Sequence, residues 1–394
     1  MFMNAGPLVQ KIFQAPSKTP GTFWIQGFGW DLFWIFPGIW LFPLVLFLDD
    51  LDPIYAVGVF LFWIGHRVSS LYLGWFSPSF RPLLHDQRQR FIFIPLAVLL
   101  LTGFWLLLPE SLLPLPFSLR ILSLAMLDYF WGIYHFAAQH FGMLRLYRHL
   151  DPGSEDVFEK NRDRWYCLGA AGGLVIFAEV LHGTAILQED WTGPILTSEV
   201  FGGQQQQLLQ FGLIFSLCWF LFMLQREFRS GGSLPRLLYL LQLGVMVGAA
   251  FVLDPFRFLV LWTLQHWMGA VGLVSFLGGN DISSRQTGGS SHSRILHIRS
   301  RVGVLILLCL VSLLMTPMME IEALSADSAY SAQWWPEWWE WIQRQSWLPL
   351  VMVIGFSSGF IHYLMDRAVY RFSDPQTRSV LTKLLYHERT PGSI

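Results

Sequence analysis

Long apolar runs separated by short polar ones repeat along the whole chain. A membrane crossing takes about 20 mainly apolar residues as a helix. Ten runs meet that length, at approximately 28–48, 54–77, 89–108, 117–146, 164–188, 205–225, 234–253, 255–278, 301–319 and 348–371. Backbone polar groups in lipid must be satisfied within the protein, so these runs predict helices. The alternating ten-residue strands of a barrel do not appear. The expected fold class is all-α: a polytopic integral-membrane helix bundle of ten transmembrane helices forming one domain over 1–394. Between the runs, 280–300 is rich in Gly and Ser and predicts a flexible cytoplasmic linker. Residues 320–347 hold Trp334, Trp335, Trp338, Trp339, Trp341 and Trp347 beside acids, and predict an interfacial outer loop. That loop reads as an aromatic anchor or as a lid over a lateral opening for substrate.

Charge on the polar runs sets an orientation. Alternate loops carry Arg81, Arg88 and Arg90; Arg148, Lys160, Arg162 and Arg164; Arg226, Arg229 and Arg236; then Arg285, Arg294 and Arg299. The tail is basic too, with Arg371, Arg378, Lys383 and Arg389. The opposite loops carry Asp49, Asp50 and Asp52; Glu110; Glu189, Asp190 and Glu199; then Glu320, Glu322, Asp327, Glu337 and Glu340. The positive-inside rule therefore places both termini in the cytoplasm. The opening MFMNAGPLVQKIFQ lacks the continuous apolar stretch of a cleavable signal peptide. A multi-pass protein of a bacterial inner membrane is the expected setting.

Composition narrows the class. Of 394 residues, 53% are hydrophobic and 13% charged, against roughly 25% charged in a soluble domain. Too few polar groups exist to cover a water-facing surface, so a soluble enzyme is excluded, and so is a disordered chain. The net charge of −1 gives no argument for a nucleic-acid partner. Three cysteines, all in apolar runs, make neither a disulfide framework nor a CxxC site.

Candidate chemistry lies in ionisable residues inside the runs, where each costs about 2.5–3.5 kcal/mol at the bilayer centre. They are His66 and Arg67; Asp128, His135 and His140; Glu179 and His182; His266; and His362, Asp366 and Arg367, with Asp31 close to an interface. Helical spacing sorts them. Asp128, Gly132, His135 and Gln139 share one stripe, and His362 and Asp366 are one turn apart. Glu179 and His182 have the Glu-x-x-His spacing of di-iron bundles. At 1.5 Å per residue, His66 and His266 fall near mid-membrane, with His135 and His362 slightly to the cytoplasmic side. Four histidines on four helices thus share a layer, and His66, His135, His266 and His362 are the predicted metal ligands. Asp366 is a further ligand or the acceptor behind one. His140, Glu179 and His182 are candidates for a second metal position. Arg67 and Asp128 are expected to orient substrate or a ligand histidine, as a salt bridge or as an anion holder.

The run His135-Phe-Ala-Ala-Gln-His140 resembles the first histidine box of membrane fatty-acid desaturases and hydroxylases. It departs from them in having no adjacent histidine pair anywhere in the chain. Imidazole with carboxylate suits iron, zinc or copper. The expected function is an iron-dependent metalloenzyme, an oxidoreductase acting on a membrane lipid or other apolar molecule. The alternatives are a haem b electron-transfer protein, and a transporter, proton channel or subunit of a larger membrane complex. A redox partner belongs to the first two readings.

Overall fold

The computed structural model describes residues 24–150, 157–182, 204–286, 293–320 and 329–386. The loop acids Glu189, Asp190, Glu199, Glu322 and Asp327, and linker residues 287–292, lie outside the described residues. Among those described, every regular element is helical. Nine of the described helices are long and apolar enough to cross a membrane, and a bent pair makes a tenth if counted as one span. The chain is an all-α polytopic bundle. In order, α1 is the pair Phe28–Ile35 and Pro37–Phe47, bent by 51°. The others are α2 Asp52–Phe76, α3 Gln89–Leu107, α4 Phe117–Leu150, α5 Lys160–His182, α6 Gln205–Arg229 and α7 Leu234–Val252. Last come α8 Pro255–Gln286, α9 Ser293–Met319 and α10 Leu348–Val369. Burial separates lipid-facing from interior helices: 22% of the apolar window of α3 and of α6 is buried, against 89% for α8.

The helices divide into two compact units: residues 1–51 with 133–265, and residues 52–132 with 266–394. In the first unit α6 packs on α7, and α7 also meets α1 and α5. The bend in α1 leaves backbone groups without helical partners. Buried Gln242 of α7 takes them up, accepting from the Gly38 amide at 2.9 Å and donating to the Ile35 carbonyl at 3.1 Å. Asp31, read from sequence as interfacial, is fully buried. It accepts the Ile25 amide at 2.8 Å, the Gln26 amide at 3.2 Å and the Tyr147 hydroxyl at 2.9 Å.

Five charged side chains are buried together in the same unit. Arg236, in the first turn of α7, donates through Nη2 to both oxygens of Asp163 at 2.8 Å. It also donates to Glu227 at 2.6 Å and to the Leu144 carbonyl at 2.7 Å. Arg162 pairs with Glu227 at 3.0 Å, and Arg148 approaches Glu227 at 3.6 Å. These residues stood in loops by hydropathy. They form instead an ion cluster shut off from solvent.

In the second unit α10 packs on α3 and α2, and α9 packs on α2. Gly65 permits the α2–α9 contact: a β-carbon there would stand 2.7 Å from the Leu308 carbonyl oxygen. The start of the expected linker is helical, since α8 continues to Gln286 with Asn280, Asp281 and Ser283 buried. Its polarity is met by partners rather than by water. Asp281 accepts the hydroxyls of Ser77 and Ser79 and the Ser79 amide, and Asn280 accepts from Arg301 at 2.7 Å. Gly278 and Gly279 here serve close packing, a β-carbon at Gly279 falling 2.7 Å from the Arg301 backbone. Past α10, Asp374 caps the helix Pro375–Tyr386 through the Thr377 amide at 3.0 Å and pairs with Arg90 at 3.2 Å. The Thr377 amide first, then Arg90 and Gln87, hold its carboxyl below the ordinary range.

The tryptophan-rich segment forms two short helices, Tyr330–Trp334 and Pro336–Gln343, rather than a span. Trp339 and Ile342 enter a core with Leu106, Ile121, Phe356 and Phe360, while Trp334, Trp335 and Trp341 stay exposed. Glu320 caps the first of these helices, accepting the Tyr330 amide at 3.2 Å, the Ser331 amide at 2.7 Å and the Ser331 hydroxyl. Burial outweighs these bonds and raises its carboxyl above the ordinary 4.5. The folded chain therefore holds this proton more tightly than the unfolded chain, so stability falls as pH rises from 4.5 through the raised value. The parent is expected to melt at a higher temperature at pH 5 than at pH 7.5 in detergent. Glu320→Gln should shrink that difference; an unchanged difference would separate Glu320 from the effect.

Candidate metal centre

Three imidazoles converge inside the second unit, from three helices. His66 lies on α2, His266 on α8 and His362 on α10, and all are buried. Ring centroids are 5.0 Å apart for His66 and His266, 4.7 Å for His66 and His362, and 6.1 Å for His266 and His362. One ligand nitrogen from each lies within 4.8 Å of the other two.

The direction of His66 is set by irregular backbone. Its segment Ile64–Leu71 is α-helical, but the turns on either side, Val59–Trp63 and Tyr72–Phe76, are π-helical. A wide turn weakens the regular hydrogen-bond ladder, which in lipid needs repair. The repair comes from α9. The Ile64 amide donates to the Ser312 hydroxyl at 3.1 Å, and the hydroxyls of Ser312 and Thr316 donate to the Val59 carbonyl at 3.5 and 3.4 Å. Trp267 stacks on the His66 ring at 5.7 Å and 24° and fixes its plane.

The surroundings of His362 match those of a ligand. Its Nδ1 lies 3.4 Å from the Ser70 hydroxyl and 3.6 Å from Asp366 Oδ1. Metal-bound histidines commonly direct one ring nitrogen to a carboxylate or hydroxyl, which fixes the tautomer and frees the other nitrogen for the ion. Asp366 thus stands behind the His362 ring. Bonds of about 2.0–2.1 Å place the nitrogens of a tetrahedral ion about 3.3 Å apart. The three nitrogens lie within 4.8 Å of one another, close to that spacing though wider at its limit. These buried groups could hold a metal ion.

Arg67 and Asp128 lie in the same unit. The Arg67 guanidinium donates to the Gly355 carbonyl at 3.3 Å and the Ser358 hydroxyl at 3.2 Å, and lies 4.8 Å over the Trp63 ring. Asp128 accepts the Tyr363 hydroxyl and feels the Arg67 charge. Both crowd Gly359, where a β-carbon would stand 3.1 Å from the Asp128 carboxylate and 3.6 Å from the guanidinium carbon. Gly359 lies three residues before His362, so the charged pair sits one turn of α10 from the histidines.

The remaining candidates fall in the first unit. His135 is buried there. His140 shares a hydrogen bond between Nδ1 and the Tyr239 hydroxyl at 2.8 Å. His182 donates to the Ala250 carbonyl at 3.2 Å, and Glu179 is half-buried on the same helix. Among the described residues no group of three ligand side chains forms around His140, Glu179 or His182.

Three contributors escaped the sequence reading as parts of the site. Trp267 looked like one more apolar residue, although its place beside His266 marked it. Ser312 and Thr316 gave no signal, because their need arises only from the turn in α2. No family model, curated protein or solved structure matches the chain.

Proposed function

We propose that the chain is an integral-membrane, iron-dependent metalloenzyme, an oxidoreductase acting on a lipid or other apolar molecule. His66, His266 and His362 are its ligands. The convergence of three buried imidazoles from three helices, with Asp366 and Ser70 behind one of them, carries this reading. A bound ion would supply a redox-active or Lewis-acidic centre. Three neutral nitrogen ligands leave coordination positions open, as catalytic rather than structural sites do. Ser70 and Asp366, beside Nδ1, would hold the His362 tautomer that a bound ion needs. Arg67, balanced by Asp128, offers an anionic or polar group of the substrate a fixed donor one turn away. A buried centre walled by membrane helices favours an apolar molecule arriving sideways between them. Both termini are proposed as cytoplasmic and the membrane as a bacterial inner membrane, with a redox partner supplying electrons.

Haem b fits less well. A porphyrin needs a flat slot between two axial histidines, and each histidine here has both others beside it. The test is metal analysis with an absorption spectrum of protein purified in detergent without chelator. Stoichiometric iron and no Soret band are expected. A Soret band would move the assignment to haem, and a metal-free protein would move it to a transporter, channel or complex subunit.

A further inference from the structure

Aromatic rings in the second unit line up between the histidine centre and the tryptophan-rich helices. Trp267 stacks on His66 at 5.7 Å, and Tyr55 stacks on Trp267 at 6.0 Å and 15°. Tyr330 meets Tyr55 edge-on at 6.1 Å, and exposed Trp334 meets Tyr330 at 5.9 Å. All four spacings are those of rings in contact. The chain holds 34 Phe, 19 Trp and 11 Tyr, so phenylalanine is the commonest filler. None interrupts this path, whose rings are all of the two kinds that give up an electron most readily. Packing alone has no reason to exclude phenylalanine. The path also ends at a base: the Tyr330 hydroxyl donates to Asp52 Oδ1 at 3.4 Å.

We propose that Tyr330 is a one-electron donor to the metal centre through the rings of Tyr55 and Trp267. The inference rests on the metal reading above and adds a reservoir to it. In the step, a bound transition-metal ion already oxidised by a peroxide would gain one electron and Tyr330 would lose one. The Tyr330 O–H bond breaks, and its proton passes to the Asp52 carboxylate. The products are a neutral tyrosyl radical, a protonated Asp52 and an ion reduced by one unit. Burial, then the Asp52 charge, keep the phenol protonated well above its ordinary range, so electron loss and proton loss occur together. Tunnelling falls off exponentially with gap, so contacting rings carry the electron faster than saturated side chains would. The role is protective: an oxidised centre without substrate is discharged to a residue near the exposed tryptophans rather than damaging its ligands.

The experiment uses purified holoprotein with its metal content measured first. Reduced protein is mixed rapidly with hydrogen peroxide, frozen, and read by electron paramagnetic resonance, with ring-deuterated tyrosine to identify the signal. A tyrosyl radical is expected in the parent and lost in Tyr330→Phe. Tyr55→Leu should slow its formation on the order of tenfold at unchanged metal content. A radical that persists in Tyr330→Phe, an unchanged rate in Tyr55→Leu, or a metal-loaded parent without a radical each overturn the inference alone. A parent without metal overturns this inference and the proposed function together.

Discussion

Alanine at His362 is expected to empty the metal centre while leaving the helices folded. Three ligands already satisfy an ion only in part, so losing one removes a third of the protein's contribution. His362 is also the ring with Ser70 and Asp366 beside its Nδ1, at 3.4 and 3.6 Å. Metal should fall below stoichiometry in His362→Ala, and equally in His66→Ala and His266→Ala. Asp366→Asn removes only the acceptor behind a ligand and should weaken binding about 10–100-fold, the usual effect of such a partner. His85, exposed beside Asp86, supplies the control and should keep its metal when replaced. Elemental analysis of monodisperse protein from size exclusion decides the matter. Full metal in all three ligand variants would refute the assignment.

Arg236→Met should be the most damaging single change in the first unit. Three nitrogens of the guanidinium each have a buried acceptor: Asp163, Glu227 and the Leu144 carbonyl. Removing it leaves Asp163 and Glu227 with less positive charge in a place water does not reach, and breaking such a pair costs about 3–5 kcal/mol. That is a large part of the 5–15 kcal/mol typical of a folded domain. Lysine should not rescue it, because a single ammonium cannot reproduce the planar fork. Neutralising the acids as well, in Arg236→Met with Asp163→Asn and Glu227→Gln, should recover part of the loss. Thermal melting followed by fluorescent size exclusion gives the comparison. Equal melting of the parent and Arg236→Met would show that the cluster is dispensable.

The spans were legible because lipid leaves the chain little choice. About 20 apolar residues must be helical, and the structure places the helices close to the predicted runs. The meeting of His66, His266 and His362 was legible in part, since rise per residue converts position into depth and put them in one layer with His135. Two things were not. Hydropathy assigns an arginine to water, yet Arg236 and Arg162 are buried because Asp163 and Glu227 lie within the same basic stretches. Those two acids were the available signal. Composition also reads the stretch from 280 onward as flexible, whereas Asn280 and Asp281 have buried partners and Gly278 and Gly279 just before them make room for Tyr72 and α9. Which residues satisfy which is a tertiary fact, beyond what periodicity encodes.

The π-helical turns of α2 carry a consequence for how such a protein can change. Each wide turn amounts to one residue inserted into a regular helix, and one residue turns the following side chains by about 100°. The stretch bearing His66 is therefore phased independently of the helix before and after it. A lineage could re-aim this imidazole by gaining or losing a single codon in Val59–Trp63, leaving the histidine itself and its two companions untouched. Substitution alters what a ligand is; here an insertion or deletion alters where it looks. Ancestors and descendants of this chain would then differ by length in one membrane helix rather than by the identity of their histidines.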